Sequence, residues 1–325
     1  MDQPKGKGIK PKTALPEEVT RSLQARLSDR RLNAVMRIQA VLLREIDEFM
    51  RENQVLEIMP VIAAPITDPL THGVLDAEIE YYSQRLKLTK SMLYHKQLAL
   101  VSEERQAIYC VSPNIRLEPA ESSEKGRYLI EFSQVDFEIK HATMRDIMDF
   151  MERLVVRVFT GIKEECRGEL QLLRRKLPIP RRPFKVYDSA EVRKVYGEDF
   201  ERELSLKETS PFWITNFDRE PYDKEDPTHP GSFLNYDLIY PEGYGEGLSG
   251  GEREYEYHRI IYRMDRSKVP VAPFTAYLEL ARMGALPPTA GAGFGVERML
   301  RYICGIRNIA DVCLFPKVPG ETFYL

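Results

Sequence analysis

Apolar residues recur at spacings of three and four over Leu32, Val35, Met36, Leu42, Leu43, Ile46, Phe49 and Met50. That spacing predicts an amphipathic helix from Pro16 or Ser28 to Glu52. A second stripe, Met144, Ile147, Met148, Met151, Leu154 and Val155, predicts another helix with its apolar face in the core. Between them the period changes to two. From Leu129 to Ile139, Leu129, Glu131, Ser133, Val135, Phe137 and Ile139 share one face, and Ile130, Phe132, Gln134, Asp136 and Glu138 share the other. The strand before it puts Asn114, Arg116 and Glu118 on one face, with Ile115 and Leu117 behind. Alternation alone reads as a half-buried hairpin with a charged outer face. Lining up a guanidinium, a ring and several carboxylates is costly to desolvate, which makes the hairpin a candidate site.

The remaining punctuation is less regular. Residues 55–62 read as a strand carrying Pro60, and residues 63–80 as an irregular loop holding Asp68, Asp76, Glu78 and Glu80. Tyr81 to Leu100 reads as a strand passing into a helix that Thr89 or Ser91 could cap. Residues 163–210 are charged and mixed, and the basic run RRKLPIPRRPFK at 174–185 reads as an exposed linker. Strands are predicted near Phe212 and Phe233. GYGEGLSGGERE (243–254) reads as a glycine- and serine-rich turn spacing Glu246 and Arg253 seven apart. A second glycine-rich turn, Gly291–Gly295, precedes a helix ending near Gly305. Residues 1–16 read as a flexible tail, leaving 17–325 as one domain.

Bulk properties exclude more than they select. The 325 residues carry 47 basic and 50 acidic side chains, a net charge of −3, so no overall excess points to nucleic acid. Cys110, Cys166, Cys304 and Cys313 form no CxxC pair and make no metal-ligand spacing with the five histidines. They read as reduced thiols. With no apolar run long enough for a membrane span and no secretory h-region, the expected location is cytoplasmic.

Arg116-Leu-Glu118, Arg127 through Phe132 and Asp136-Phe-Glu138 resemble motif 2 of class II aminoacyl-tRNA synthetases, most closely the aspartyl and asparaginyl group. The helix, strand and Pro60 resemble motif 1, and the GxGxGxER run ending at Arg298 resembles motif 3. The GYGEGLSGGERE form is most similar to the archaeal asparagine synthetase-related proteins, and the resemblance covers the chain from about Arg31 onward. It implies an α+β fold, the class II synthetase catalytic fold, with an antiparallel sheet of six or seven strands flanked by helices and a homodimer formed through motif 1.

The resemblance also implies the roles. Arg116 would hold the α-phosphate of ATP, Glu118 the adenine amino group, and Phe132 and Arg298 the two faces of the adenine. Arg127 and Arg298 would steady the outer phosphates, making Arg116 and Arg298 the catalytic pair. Asp237 and Glu246 would hold Mg2+. Ser91, Lys96, Asp136 and Arg253 would bind the amino acid, with Asp136 on its ammonium, and one of the loop carboxylates would close over it. Leu93 departs from the glutamine that aspartyl enzymes carry there. Two cations, Lys96 and Arg253, match the dianionic side of aspartate. Only some 30 residues precede the first apolar stripe, too few for a tRNA-reading OB fold. The expectation is therefore an AMP-forming asparagine synthetase joining aspartate to ammonia through β-aspartyl-adenylate, with tRNA not expected as a partner. The alternative is an aspartyl- or asparaginyl-tRNA synthetase-like protein charging a tRNA or another amine.

Overall fold

The computed structural model describes residues 15–70, 73–219 and 221–324, so most of the expected N-terminal tail lies outside the described residues. The first apolar stripe lies wholly in α2 (Arg30–Glu52), and the residues between Pro16 and Ser28 form a separate helix, α1 (Glu17–Leu27). The two helices break at Asp29, whose carboxylate accepts the Arg31 amide at 2.8 Å and caps α2. A short strand β1 (Leu56–Glu57) and a three-stranded sheet follow, the latter built from β2 (Ala63–Ala64), β3 (Glu78–Tyr81) and β4 (Gln84–Leu88). The expected single strand from Tyr81 is thus a hairpin, turning at Tyr82 with a φ of 52°. It leads into α3 (Leu93–Ala99), where Ser91 Oγ accepts the Leu93 amide at 3.2 Å.

The predicted hairpin is β5 (Ala107–Ile115) and β6 (Glu131–Lys140), paired antiparallel. After it come α4 (Met144–Glu165), opened by a reciprocal Thr143–Asp146 cap, and α5 (Arg167–Leu172). The stretch read only as charged and mixed then forms β7 (Lys185–Asp188), α6 (Ser189–Tyr196) and α7 (Phe200–Lys207), with Asp188 capping α6 through the amides of Ala190 and Glu191. The chain continues through β8 (Phe212–Thr215), β9 (Asn235–Tyr240), β10 (Gly245–Glu252), α8 (Tyr257–Arg266), α9 (Thr275–Arg282), β11 (Thr289–Gly295) and α10 (Val296–Cys304), which ends on left-handed Gly305.

The large sheet has eight strands in the order β1-β5-β6-β11-β10-β9-β8-β7. The six central strands are antiparallel, as expected, and a short parallel strand is added at each edge: β1 on β5 and β7 on β8. Both glycine-rich runs read as turns are central strands. A Cβ at Gly250 would lie 2.5 Å from the Gly291 carbonyl oxygen, and one at Gly247 2.1 Å from the Tyr240 ring. The glycines let strands and rings approach more closely than any side chain allows. Helices α2, α4 and α10 cover one face of the sheet and bury Ile38, Leu42, Phe137, Phe159, Met299 and Leu300. The opposite face of β6, β10 and β11, carrying Phe132, Gln134 and Asp136 as the alternation predicts, opens into a cavity. Helix α3 reaches the cavity through Leu93 and Lys96 and packs against α8 and α9 in a second apolar cluster. Among the described residues no helix is long and apolar enough to cross a membrane.

Candidate active site

One cavity of about 280 Å³ brings together Ser91, Lys96, Arg116, Glu118, Arg127, Phe132, Asp136, Glu246, Arg253 and Arg298. Residues up to about 200 positions apart in sequence therefore converge, and only Asp237 of the expected set stands behind the wall. Of the four loop carboxylates Asp68 alone lines the cavity. Asp76 pairs with Lys87 and Lys90, Glu78 with Arg85, and Glu80 lies exposed on β3.

At one end the groups suit a nucleotide. Arg116 follows the last residue of β5, and its Nε donates to the Lys90 carbonyl at 3.1 Å. Its guanidinium lies 5.0 Å from the Phe132 ring centre, leaving a flat cation–aromatic surface beside the cavity. Arg298, in the first turn of α10, meets Glu246 at 3.0 Å and sits 5.9 Å from the Tyr128 ring. A register shift between Glu246 and Leu248 turns Glu246 into the cavity. Burial alone would raise Glu246, but Arg298, Arg127 and Arg219 outweigh it and hold the carboxyl at about 2. Arg127 donates to Tyr128 Oη and Glu201, both at 3.3 Å, while its buried Nε has no partner among the described residues. Such an orphaned donor suits a phosphate oxygen.

The other end is built of paired charges. Lys96 Nζ donates to Asp136 Oδ1 at 3.1 Å and to the Ala292 carbonyl at 2.9 Å, and lies 3.7 Å from Glu138 Oε2. The other Asp136 oxygen accepts Ser112 Oγ at 2.9 Å. Arg253 forks onto Glu138 at 3.0 and 3.3 Å, donates to the Gly291 carbonyl at 3.0 Å, and lies 3.7 Å from Asp223. Lys96, Asp136, Glu138, Asp223 and Arg253 are all at most 3% exposed. The two cations read from the sequence as free to grip aspartate are therefore already neutralised by three buried carboxylates. Glu138 shares the face that alternation assigned to Asp136, so its presence was legible there. Asp223 comes from an irregular segment with no periodic signal. Asp68, pushed up by burial against the pull of Arg116, accepts from the Tyr222 hydroxyl at 3.1 Å and closes this end.

Asp237 is held by a residue the sequence reading did not single out. Arg219 Nη1 lies 2.8 Å from both Asp237 oxygens, its Nε 3.4 Å from Asp223. Burial pushes Asp237 up to about 7 despite Arg219, with the Glu246 charge adding to the rise. Among the described residues no three His, Cys, Asp or Glu side chains form a metal cluster. Two neighbouring carboxylates on β9 and β10 nevertheless fit Mg2+, which takes few protein oxygens and completes its shell with phosphate and water.

The sequence pattern described as tRNA synthetases class II (D, K and N) matches residues 17–319. The chain belongs to that family. An asparagine–tRNA ligase of Pelotomaculum thermopropionicum is 32% identical to this synthetase over 309 residues, 89% of this chain and 70% of the relative. One from Thermoplasma acidophilum is 26% identical over 315 residues, 91% and 72% of the two chains. The asparaginyl-tRNA synthetase of Pyrococcus horikoshii, solved with asparaginyl-adenylate, superposes with a TM-score of 0.84 at 23% identity, over 96% of this chain and 74% of that one, a likeness of fold. These relatives overturn two expectations. They are named for joining asparagine to tRNA, so the ammonia-dependent asparagine synthetase and the exclusion of tRNA as a partner are both withdrawn. That exclusion rested on the few residues ahead of the first apolar stripe, a count that does not decide the partner.

Proposed function

We propose that this synthetase activates asparagine with ATP and passes the asparaginyl group to a tRNA. The observation that carries the choice of amino acid is the compensated floor of the cavity. Lys96 and Arg253 face Asp136, Glu138 and Asp223, so a second substrate carboxylate would enter a region without spare positive charge. A neutral side-chain amide can donate and accept there, and the substrate ammonium gains from Asp136 and Asp68. The relatives named above support the same reading.

In this reading the adenine lies on Phe132, with Glu118 reading its amino group and Arg298 on its other face. Arg116 holds the α-phosphate and the free Nε of Arg127 an outer phosphate. A substrate α-carboxylate oxygen attacks the α-phosphorus and pyrophosphate leaves. A terminal ribose hydroxyl of the tRNA then attacks the carbonyl carbon, and AMP leaves. Fixed guanidinium groups stabilise the charge that develops on phosphorus without reorganising. Asp237 and Glu246 would hold Mg2+, which neutralises phosphate charge when bound. The exposed Leu56, Met59 and Ile62 beside α2 form the face through which two copies would pair. The test is pyrophosphate exchange with asparagine and aspartate separately, followed by aminoacylation of total tRNA with labelled asparagine. Asparagine-dependent exchange and acid-precipitable asparaginyl-tRNA are expected. Preferential activation of aspartate would overturn the charge reading.

A further inference from the structure

Arg219 is the cation in the cavity wall to which the reading above gives no task. It sits in the irregular segment between β8 and β9, stacks 4.7 Å from the Phe217 ring, and reaches three acceptors. A single nitrogen, Nη1, stands 2.8 Å from both oxygens of Asp237; Nε points to Asp223 and Nη2 to the Gly250 carbonyl, each at 3.4 Å. An atom equidistant from the two oxygens lies in the plane that bisects the carboxylate. That is where a cation held by both oxygens would sit. Asp237 keeps only 8% of its side chain exposed, so there is little other room around it for a second positive charge, whereas the Arg219 side chain is 23% exposed and borders the cavity.

The geometry points to Arg219 as a built-in stand-in for the divalent cation, holding Asp237 in the nucleotide-free enzyme and giving way when the ion arrives. This rests on Asp237 being an ion ligand, as proposed above. Two like charges cannot share one buried carboxylate without strong repulsion. The ion must therefore displace the Arg219 contacts, and free ion binds weakly until phosphate oxygens add ligands of their own. The arrangement loads metal and nucleotide together. It also links the two ends of the cavity, because Arg219 and Arg253 share Asp223: moving the first changes the field around the second.

The experiment is Mn2+ titration of the intact protein, followed by the electron paramagnetic resonance signal of free Mn2+, without nucleotide. Arg219→Gln is expected to bind Mn2+ about tenfold more tightly than wild type, since removing the competing cation leaves Asp237 open. Arg219→Lys should fall between them, its single ammonium being too short to span Asp223 and Asp237 together. Adding Asp237→Asn to Arg219→Gln should abolish the gain. With a non-hydrolysable ATP analogue present the wild type and Arg219→Gln should converge. Equal or weaker Mn2+ binding by Arg219→Gln with an unchanged circular dichroism melt overturns the inference, as does a gain that survives Asp237→Asn. If Arg219→Gln does not fold, Arg219→Lys decides: no tightening overturns it. Failure of the tRNA reading would show separately, as absent aminoacylation with the Mn2+ gain intact.

Discussion

Replacing Lys96 by Met tests whether that lysine neutralises the floor of the cavity or is held in reserve for a substrate carboxylate. Met keeps the length of the side chain and removes the charge. With an effective dielectric of ~20, a charge pair at the 3.1 Å separation from Asp136 is worth about 5 kcal/mol, and at the 3.7 Å from Glu138 slightly less. The lysine's own desolvation offsets much of this. Glu138 retains the Arg253 fork at 3.0 Å, so the damage falls on Asp136, left with Ser112 as its hydroxyl partner. A loss of ~3 kcal/mol is expected, the lower end for stripping one partner from a buried pair. Urea denaturation measures it. The decisive arm is the double variant Lys96→Met with Asp136→Asn, which removes both charges and should regain at least half of the lost stability through a positive coupling. A loss under about 1 kcal/mol, or a double variant no more stable than the single one, would refute the assignment of Lys96 to its carboxylates.

Two further outcomes follow from other parts of the site. Arg116→Ala should abolish asparagine-dependent pyrophosphate exchange while leaving the melting curve unchanged, since a fixed phosphate counter-charge is worth ~3 kcal/mol of transition-state stabilisation and full exchange would remove the assignment. Glu297 is pushed by burial to about 7, from 4.5, even though both its oxygens accept the Ser133 amide at 3.0 and 3.1 Å. Between these values the folded protein keeps a proton that the unfolded chain releases, so this group's contribution to stability falls as pH rises from about 4.5 to 7. Glu297→Gln lacks that titration; its melting temperature should gain on wild type between pH 5 and pH 8, and a constant difference would contradict the shift.

What could be read from the sequence was what local periodicity encodes. Helices α2 and α4 and strand β6 each carry one uninterrupted period, and the hairpin face with Phe132, Gln134, Asp136 and Glu138 was placed correctly. Strands β10 and β11 were hidden because close packing against Tyr236, Tyr240 and Gln134 demands glycine, the residue that otherwise marks turns. Elements β7, α6 and α7 were hidden by their shortness and their charged outer faces. Within the site, Lys96 and Arg253 converge on the cavity as read, but the carboxylates that already pair with them were not counted. Their neutralising partner Asp223, and Arg219 beside it, lie in a segment without regular structure, so no spacing announced them.

The strand order has a temporal meaning. β11, which lies between β6 and β10 in the middle of the sheet, is the last strand in chain order among the described residues. Its pairing with β6 closes a loop of roughly 150 residues, a slow event compared with forming any local hairpin. Earlier, β5 and β6 can zip together while β8, β9 and β10 assemble separately, leaving two half-sheets with glycine- and charge-lined edges. Arg26 of α1 adds a second long closure, donating to the carbonyls of Ala310 and Cys313 just beyond Ile309 in the cavity wall. Until β11 and α10 join, β6 and β10 have no common neighbour and Glu297 and Arg298 are missing from the cavity wall, so the two halves of the candidate site meet only when that segment pairs.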